Sequence, residues 1–455
     1  VARSQKSQRP KIQLADTPGA LHERLADAVE RWIREEHFRP GDRLPTHREI
    51  ARQAGVAIGT VTKALELLGN RGIVRGEVGR GTFVNETRSA PARSGIIDLA
   101  INGPPHVVTE ETFRAAAERA MRNSLSLPHG GYASQRGTTQ QRRVFADWLR
   151  RTRIDLPDDD LILSVGVQHG VHLAFQDLRS VSRLIATESS TYPGALAAAR
   201  ALDMQMVPVR HDDEGMLPRD LDRALRETGA KIVYLTPVCH NPLGFEIGRE
   251  RRRELLDVIA RYDAWIVEDD IYAIYSAKSA PTFKELAPER TYYLNGISKC
   301  LTPLIRVGII APPRNRRAEI ASALRAEVWG PAPYGVEMAC ALLELGADAT
   351  VAPILRSEAK ARIQLAKQAL GLNSVPMPEG APHLWLPMNP VRAEKLARLA
   401  AERGVRLTPP DASFVGGEFG GGVRLSIMAP LTRDELDSAL CAISALLNEP
   451  EEMIV

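Results

Sequence analysis

Lys299 stands in the run Asn295-Gly-Ile-Ser298-Lys299, with Arg306 seven residues further on. A lysine amine held near other cations has a lowered pKa, and the neutral amine condenses with an aldehyde to a Schiff base. Four other segments carry groups of complementary kinds. Gly166-Val167-Gln168 precedes a helical pattern, so its backbone amides are placed to hold a phosphate at a helix N-terminus. Tyr192-Pro193-Gly194 offers an aromatic face, and His240-Asn241-Pro242 puts an amide on a loop. Glu268-Asp269-Asp270-Ile271-Tyr272 sets a carboxylate and a phenol three residues apart. Taken singly each is weak: a lone Ser-Lys arises by chance, and an acidic pair is most often a solvated turn.

Strands must end where these groups stand. Apolar runs at Leu161-Ile-Leu-Ser-Val, Arg183-Leu-Ile-Ala-Thr, Lys231-Ile-Val-Tyr-Leu-Thr, Trp265-Ile-Val-Glu-Asp, Thr291-Tyr-Tyr-Leu and Arg306-Val-Gly-Ile-Ile alternate with helical patterns. That alternation predicts an α/β domain with a largely parallel sheet over residues 97–455. All five segments fall at strand ends, where open α/β sheets place their ligands. A large part over about 97–345 is followed by a smaller α+β part over about 346–455, containing a long helical stretch and the strand Val423-Arg424-Leu-Ser-Ile.

The first hundred residues follow another pattern. Residues 1–16 are polar and aperiodic and are expected to be a disordered tail. Over residues 17–84, Pro18 opens a helix whose Leu21, Leu25, Ala28, Val29, Trp32 and Ile33 form one apolar stripe. Thr46 and Glu49 have capping-box spacing and start a second helix that Gly55 ends. A third, from Ala57 to Asn70, turns Val61, Leu65 and Leu68 inward and Thr60 and Lys63 outward. Two short alternating runs around Gly79 then predict a β-wing with Arg75 and Arg80 near its tip. Such a helix-turn-helix fits a major groove, with flanking cations on phosphates. Arg43, Arg48, Thr60, Lys63, Arg75 and Arg80 are the expected DNA contacts. Residues 85–96 are small and polar and predict a linker reaching at most ~40 Å.

Charge supports that division. Residues 1–95 hold 17 Lys and Arg against 11 Asp and Glu, while the remainder holds 42 against 45. A basic head on a mildly acidic body suits a tethered nucleic-acid reader. With 455 residues, 44% of them hydrophobic and 25% charged, the chain can bury more than one core. No apolar run approaches a membrane span, and Val1-Ala-Arg-Ser-Gln-Lys lacks a signal peptide's apolar core. Cys239, Cys300, Cys340 and Cys441 form no metal or disulfide spacing, so a reducing cytoplasm is the expected location. His169 and His172 have no evident third ligand, so no metal is expected; the acidic Asp155 to Asp160 run and Gly416 to Gly422 predict a turn and a loop.

Two resemblances sharpen these expectations. The run from Pro40-Gly-Asp-Arg-Leu-Pro-Thr-His-Arg-Glu-Ile through Thr60-Val61 to Gly81-Thr82-Phe83-Val84 resembles the winged-helix head of GntR-type bacterial regulators. Ile58 and Gly59 stand where that family often has polar or basic residues. The order and spacing of the five segments resemble the pyridoxal-phosphate site of fold-type I aminotransferases. That resemblance implies that Lys299 carries the cofactor as a Schiff base, that Asp269 pairs with the pyridinium nitrogen, and that Tyr272 and Asn241 bond the ring hydroxyl. It further implies that Tyr192 stacks on the ring, that Arg306 and the Val167 and Gln168 amides hold the phosphate, that Ser298 also belongs to the cofactor site, and that Tyr132 reaches the phosphate of a partner subunit. Arg424 matches the arginine that grips an amino acid's carboxylate. Asn295 is read in the place of the small hydroxyl residue common three before the lysine, Ser190 in that of a proline, and Cys300 in that of a threonine.

The combination resembles the MocR branch of the GntR-type regulators. It implies a homodimeric, cytoplasmic, DNA-binding transcription regulator whose aminotransferase-like body senses an amino-compound effector through an external aldimine, with two heads reading two operator half-sites. A working aminotransferase carrying a DNA-binding head, or a sensor of pyridoxal phosphate itself, are the alternatives.

Overall fold

The computed structural model describes residues 12, 20–33, 38, 41–70, 73–77, 81–84, 95–105, 107–125, 134–276, 280–372, 380–416 and 421–449. The expected linker up to residue 94, the wing-tip Arg80, Tyr132 and most of the tail lie outside the described residues. So do Gly417 to Gly420 of the expected glycine-rich loop. The chain divides into two compact units, Val1–Gly95 and Ile96–Val455.

In the first unit, α1 (Leu21–Trp32), α2 (His47–Ala54) and α3 (Ile58–Asn70) close on Leu25, Val29, Trp32, Ile50, Val61, Leu65 and Leu68. Leu21 departs from the expected stripe: as the first residue of α1 it lies beyond the core and is 45% exposed. Ile12 is buried with this core, so the stretch expected to be free is anchored there. Thr46 caps α2 reciprocally with Glu49, and Gly55 ends it at φ 68°, where only glycine sits without strain. β1 (Val74–Glu77) and β2 (Gly81–Val84) form the wing as an antiparallel pair. An unexpected third edge joins them: Gly41 and Leu44 donate to Val84 and Thr82, and Val84 donates back to Asp42.

The second unit begins with β3 (Ile97–Asp98), then α4 (Glu110–Leu125) and α5 (Thr139–Thr152). Next come β4 (Ile162–Ser164), α6 (Gly166–Leu178), β5 (Leu184–Glu188), α7 (Pro193–Ala201) and β6 (Gln205–Val209). A hairpin of β7 (His211–Asp212) and β8 (Gly215–Met216) leads to α8 (Pro218–Thr228), β9 (Ile232–Leu235), α9 (Arg249–Arg261), β10 (Trp265–Asp269) and α10 (Phe283–Leu286). β11 (Thr291–Gly296) and β12 (Gly308–Ala311) complete a seven-stranded sheet ordered β4-β12-β11-β10-β9-β5-β6. It is parallel except for β12, which runs against both neighbours.

Both faces of the sheet are covered, which is why its strands are continuous apolar runs. Along β9, Ile232 and Tyr234 join the core that contains α6 and α7, while Val233 and Leu235 join the core of α8, α9 and α10. Helices α11 (Arg317–Val328), α12 (Pro333–Glu344) and α13 (Ala347–Ala369) lead to β13 (Leu384–Pro387), α14 (Pro390–Glu402), β14 (Val405–Arg406), β15 (Gly422–Leu425) and α15 (Arg433–Leu447). β13 pairs with β15, and β14 pairs in parallel with β3, so the first residues of this unit join its last third. Among the described residues no single helix is long and apolar enough to cross a membrane.

Candidate functional site

The C-terminal ends of the parallel strands open onto a cavity of about 410 Å³. Of the residues singled out in the body's sequence, Val167, Gln168, Tyr192, Asn241, Asp269, Tyr272, Ser298, Lys299, Arg306 and Arg424 all line it. Lys299 closes the single 3₁₀ turn Ile297–Lys299 that follows β11. Burial, with the Arg424 and Arg306 guanidiniums, pulls its amine down to about 8, against the pull of Asp269. Its Nζ donates to the Asn102 main-chain oxygen.

Asp269 ends β10 with its carboxylate buried. Tyr234 Oη donates to Oδ2 at 3.0 Å and the Ile271 amide to Oδ1 at 3.3 Å. Burial pushes this carboxyl up to about 6, and those two hydrogen bonds act to lower it. Its neighbours are not the solvated turn that an acidic run suggests. Glu268 is buried against Arg252 and the Phe283 and Lys284 amides, and Asp270 pairs with Arg153 at 2.6 Å. Of the three, only Asp269 faces the cavity.

Tyr272 Oη accepts from Asn102 Nδ2 at 2.9 Å, and the same amide lies 2.6 Å from His383 Nδ1. His383 Nε2 lies 2.9 Å from the His240 main-chain oxygen, which can only accept. Burial, then Arg424, pulls this imidazole down to about 3, so it is neutral with its proton on Nε2. Nδ1 is therefore an acceptor, and both hydrogens of the Asn102 amide are committed, leaving the Tyr272 hydroxyl proton to point elsewhere. Burial also raises the Tyr272 pKa, so it keeps that proton.

Arg424, from β15, is 5% exposed. Its Nη1 donates to Asn241 Oδ1 at 2.7 Å, and its Nη2 to Thr408 Oγ1 at 2.9 Å and to the Ala100 main-chain oxygen. All three acceptors are neutral, and Nε is buried without a partner among the described residues. A buried guanidinium held by neutral groups is a seat for an anion.

At the opposite end, α6 begins with no side-chain cap on its N-terminus. β12 approaches it closely: a Cβ on Gly308 would lie 2.7 Å from the Gly166 carbonyl carbon and 2.8 Å from the Val167 nitrogen. Arg306, two residues before β12, is exposed with its guanidinium over Gly166. Tyr192, half-buried, starts α7 and folds its ring over Gly194, whose added Cβ would sit 2.4 Å from that ring. Asn295 does not take the place of a phosphate-holding hydroxyl: its amide turns to Tyr293 Oη at 2.9 Å, and the residue three before Lys299 is Gly296. Cys300 is buried and its thiol lies 3.4 Å from the Ile297 oxygen. His169 is explained structurally, accepting from the Val165 amide and bonding Glu327 at 3.0 Å.

Asn102, Ala100, Thr236, Thr408, Tyr234 and His383 were not foreseen as site residues. Asn102, Ala100 and Thr408 come from segments far from the strand ends that drew the sequence reading. A tyrosine amid aliphatic residues in β9 and a histidine just before β13 were the available signals.

On the head, Arg43, Arg48 and Lys63 are exposed and Thr60 is half-buried in the first turn of α3. Arg48 and Lys63 have no ion-pair partner among the described residues. Arg43 lies across the start of β2, its guanidinium against Gly81. Arg75 falls within β1, and its side chain lies outside the described residues. Thr62 Oγ1, 3.3 Å from His47 Nδ1, ties α3 to the start of α2.

Comparison with known proteins follows this division. Residues 94–443 match the family model "Aminotransferase class I and II", and residues 21–84 match "Bacterial regulatory proteins, gntR family". An uncharacterized HTH-type transcriptional regulator of Bacillus subtilis, YdeF, is 25% identical over 97% of both chains. The HTH-type pyridoxine biosynthesis transcriptional regulator PdxR of Corynebacterium glutamicum is 27% identical over 70% of this chain and 73% of its own. The Pyrococcus horikoshii kynurenine aminotransferase, solved with PMP, has a TM-score of 0.70 and 25% identity, over 79% of this chain and 92% of its own.

Proposed function

The chain belongs to the aminotransferase class I and II family, and we propose that it is a DNA-binding transcriptional regulator whose aminotransferase-like body holds pyridoxal 5′-phosphate and senses an amino compound. One observation carries the reading. A half-buried lysine with a lowered pKa shares its cavity with a carboxylate, a phenol and an unneutralised arginine, on a chain whose head matches a DNA-binding family.

The residues present fit the cofactor. Lys299 supplies the amine, Asp269 a carboxylate for the ring nitrogen, Tyr272 and Asn241 bonds for the ring hydroxyl, and Tyr192 a ring face. Arg306, Ser298 and the Val167 and Gln168 amides make the phosphate seat, and Tyr132 serves the phosphate of a partner subunit in a homodimer. Gln168 Oε1 and Arg424 Nε, buried and without a partner among the described residues, mark places where this cavity expects further partners. When bound, the cofactor supplies an electrophilic carbon that captures primary amines.

The chain's own groups do the selecting. Tyr234 fixes Asp269 Oδ2, so the carboxylate keeps one orientation and holds a proton at the ring nitrogen. Asn102 fixes Tyr272 so that its hydroxyl proton is free to donate into the cavity. Arg424 orients the effector by a bidentate grip on a carboxylate, which favours a carboxylated amine over the cofactor alone as the signal. On the head, Arg48 and Lys63 neutralise phosphates while Thr60 faces base edges. Ile58, 48% exposed at the start of α3, suits the methyl group of a thymine.

Pyridoxal 5′-phosphate added to the protein should give a visible absorbance band that Lys299→Ala abolishes; an unchanged spectrum in that variant would remove the cofactor from the reading. Lys63→Ala should weaken operator binding and lower its salt dependence by about one unit of slope. Steady-state transamination with an amino-acid panel and a keto-acid acceptor should give no turnover at ordinary enzymatic rates, and sustained turnover would make the chain an enzyme instead.

A further inference from the structure

Residues 100–102 line the cavity and bond both Lys299 and Arg424. The Ala100 main-chain oxygen accepts from Arg424 Nη2 and from Thr408 Oγ1, and the Asn102 main-chain oxygen accepts from Lys299 Nζ. The segment is anchored at both ends: Ser426 donates to the Leu99 oxygen, and the Asn102 side-chain amide is held by Tyr272 and His383. Ile97 and Leu99 donate to the Gly404 and Arg406 oxygens, and Asp98 Oδ1 gathers the Ala100 and Ile101 amides at 2.8 and 3.3 Å. Beyond that turn no strand among the described residues pairs with it, and Ile101 is 68% exposed. It is also the first segment of the second unit, so the chain coming from the head enters the body through it.

We propose that residues 97–102 are a strap that holds Lys299 and Arg424 through its own carbonyls and is displaced when ligands take those two groups, passing site occupancy to the chain that leads from the head. The inference rests on the functional reading above. When Lys299 condenses with the cofactor aldehyde, a C=N bond forms and both amine hydrogens leave with the carbonyl oxygen as water. A neutral imine nitrogen has no hydrogen left, and a protonated one has a single hydrogen, so Nζ no longer donates freely to Asn102. A carboxylate on Arg424 makes a bidentate fork with charge on both donor and acceptor, where the bond to Ala100 has charge on the donor alone, and so displaces Ala100. The Asn102 main-chain oxygen then loses its lysine donor, and the Ala100 oxygen keeps only Thr408 Oγ1. A buried carbonyl left unpaired is costly, so the segment shifts to re-satisfy it.

Asp98 provides the lever for a test, because it holds the strap without lining the cavity. Hydrogen exchange of the full chain should be compared with and without pyridoxal 5′-phosphate, with the visible band reporting occupancy in the same samples. Amides of residues 99–103 should exchange several-fold faster in the loaded protein. In Asp98→Ala they should be fast already without cofactor, the band should still form, and the operator affinity should respond to amino acids less than half as much as in the native chain. Asp98→Asn, which keeps Oδ1, should restore the response. A band with unchanged or slowed exchange at 99–103 overturns the strap and leaves the functional reading standing, as does an Asp98→Ala protein with a full operator response. Absence of any band overturns both.

Discussion

Lys299 is tuned by what surrounds it, and the sign of that tuning can be measured. Burial and two guanidiniums disfavour its ammonium, so the amine titrates near 8 in the free protein. Only the neutral amine attacks an aldehyde. Below the pKa, capture of pyridoxal 5′-phosphate should fall about tenfold per pH unit, so that at pH 6 it runs about a hundredfold below its plateau, which is reached above pH 8. Arg424→Met removes one of the charges that lower the pKa, so the midpoint should move up; stopped-flow absorbance across pH reads both. A midpoint at the ordinary lysine value would show that the amine is not buried among cations. The residues behind this tuning were unequally legible. Lys299, Asp269, Tyr272 and Asn241 stand out because polar groups at the ends of apolar runs have few reasons to be there. Asn102, Thr408 and His383 gave no such sign, since each comes from a segment distant in sequence whose local pattern is ordinary.

Elements set the precision with which those groups meet. Strands buried on both faces are easy to see in a sequence, and β5, β9, β10 and β11 fall on the apolar runs that predict them. β6 was not foreseen: it is an edge strand carrying Pro208, with residues half in water, so its apolar signal is diluted. The reversal of β12 was equally hidden, because apolar content has no direction. That reversal matters, since it brings the start of β12, with Arg306 just ahead, against the uncapped N-terminus of α6. Gly308 permits the approach. In Gly308→Ala the new methyl would meet main-chain atoms of Gly166 and Val167, which cannot give way as a side chain can. Overpacking of this kind costs about 1–3 kcal/mol, so cofactor affinity should drop roughly tenfold or more while the head still binds DNA. Equilibrium titration of the absorbance band measures the first and a footprint the second; unchanged cofactor affinity would mean that this end of the cavity does not hold the phosphate.

At the scale of the whole molecule, positive charge is concentrated in the first 95 residues and the rest carries a slight negative excess, so DNA is drawn to the head and not to the body. On the proposed reading, amine capture and DNA binding belong to two separate units, and regulation requires a free energy that couples them. Linkage makes that coupling reciprocal: if an amino compound changes operator affinity by some factor, operator DNA must change the affinity for that compound by the same factor. Couplings of this kind usually amount to about 5- to 150-fold. Titrating the amino compound against the cofactor band, with and without a saturating operator duplex, should give two affinities whose ratio equals the ratio of operator affinities measured with and without the compound. Equal ratios would establish that one conformational equilibrium serves both units. If DNA leaves the affinity for the compound unchanged while the compound alters the footprint, the two measurements do not belong to one equilibrium, and the body is not the sensor for the head.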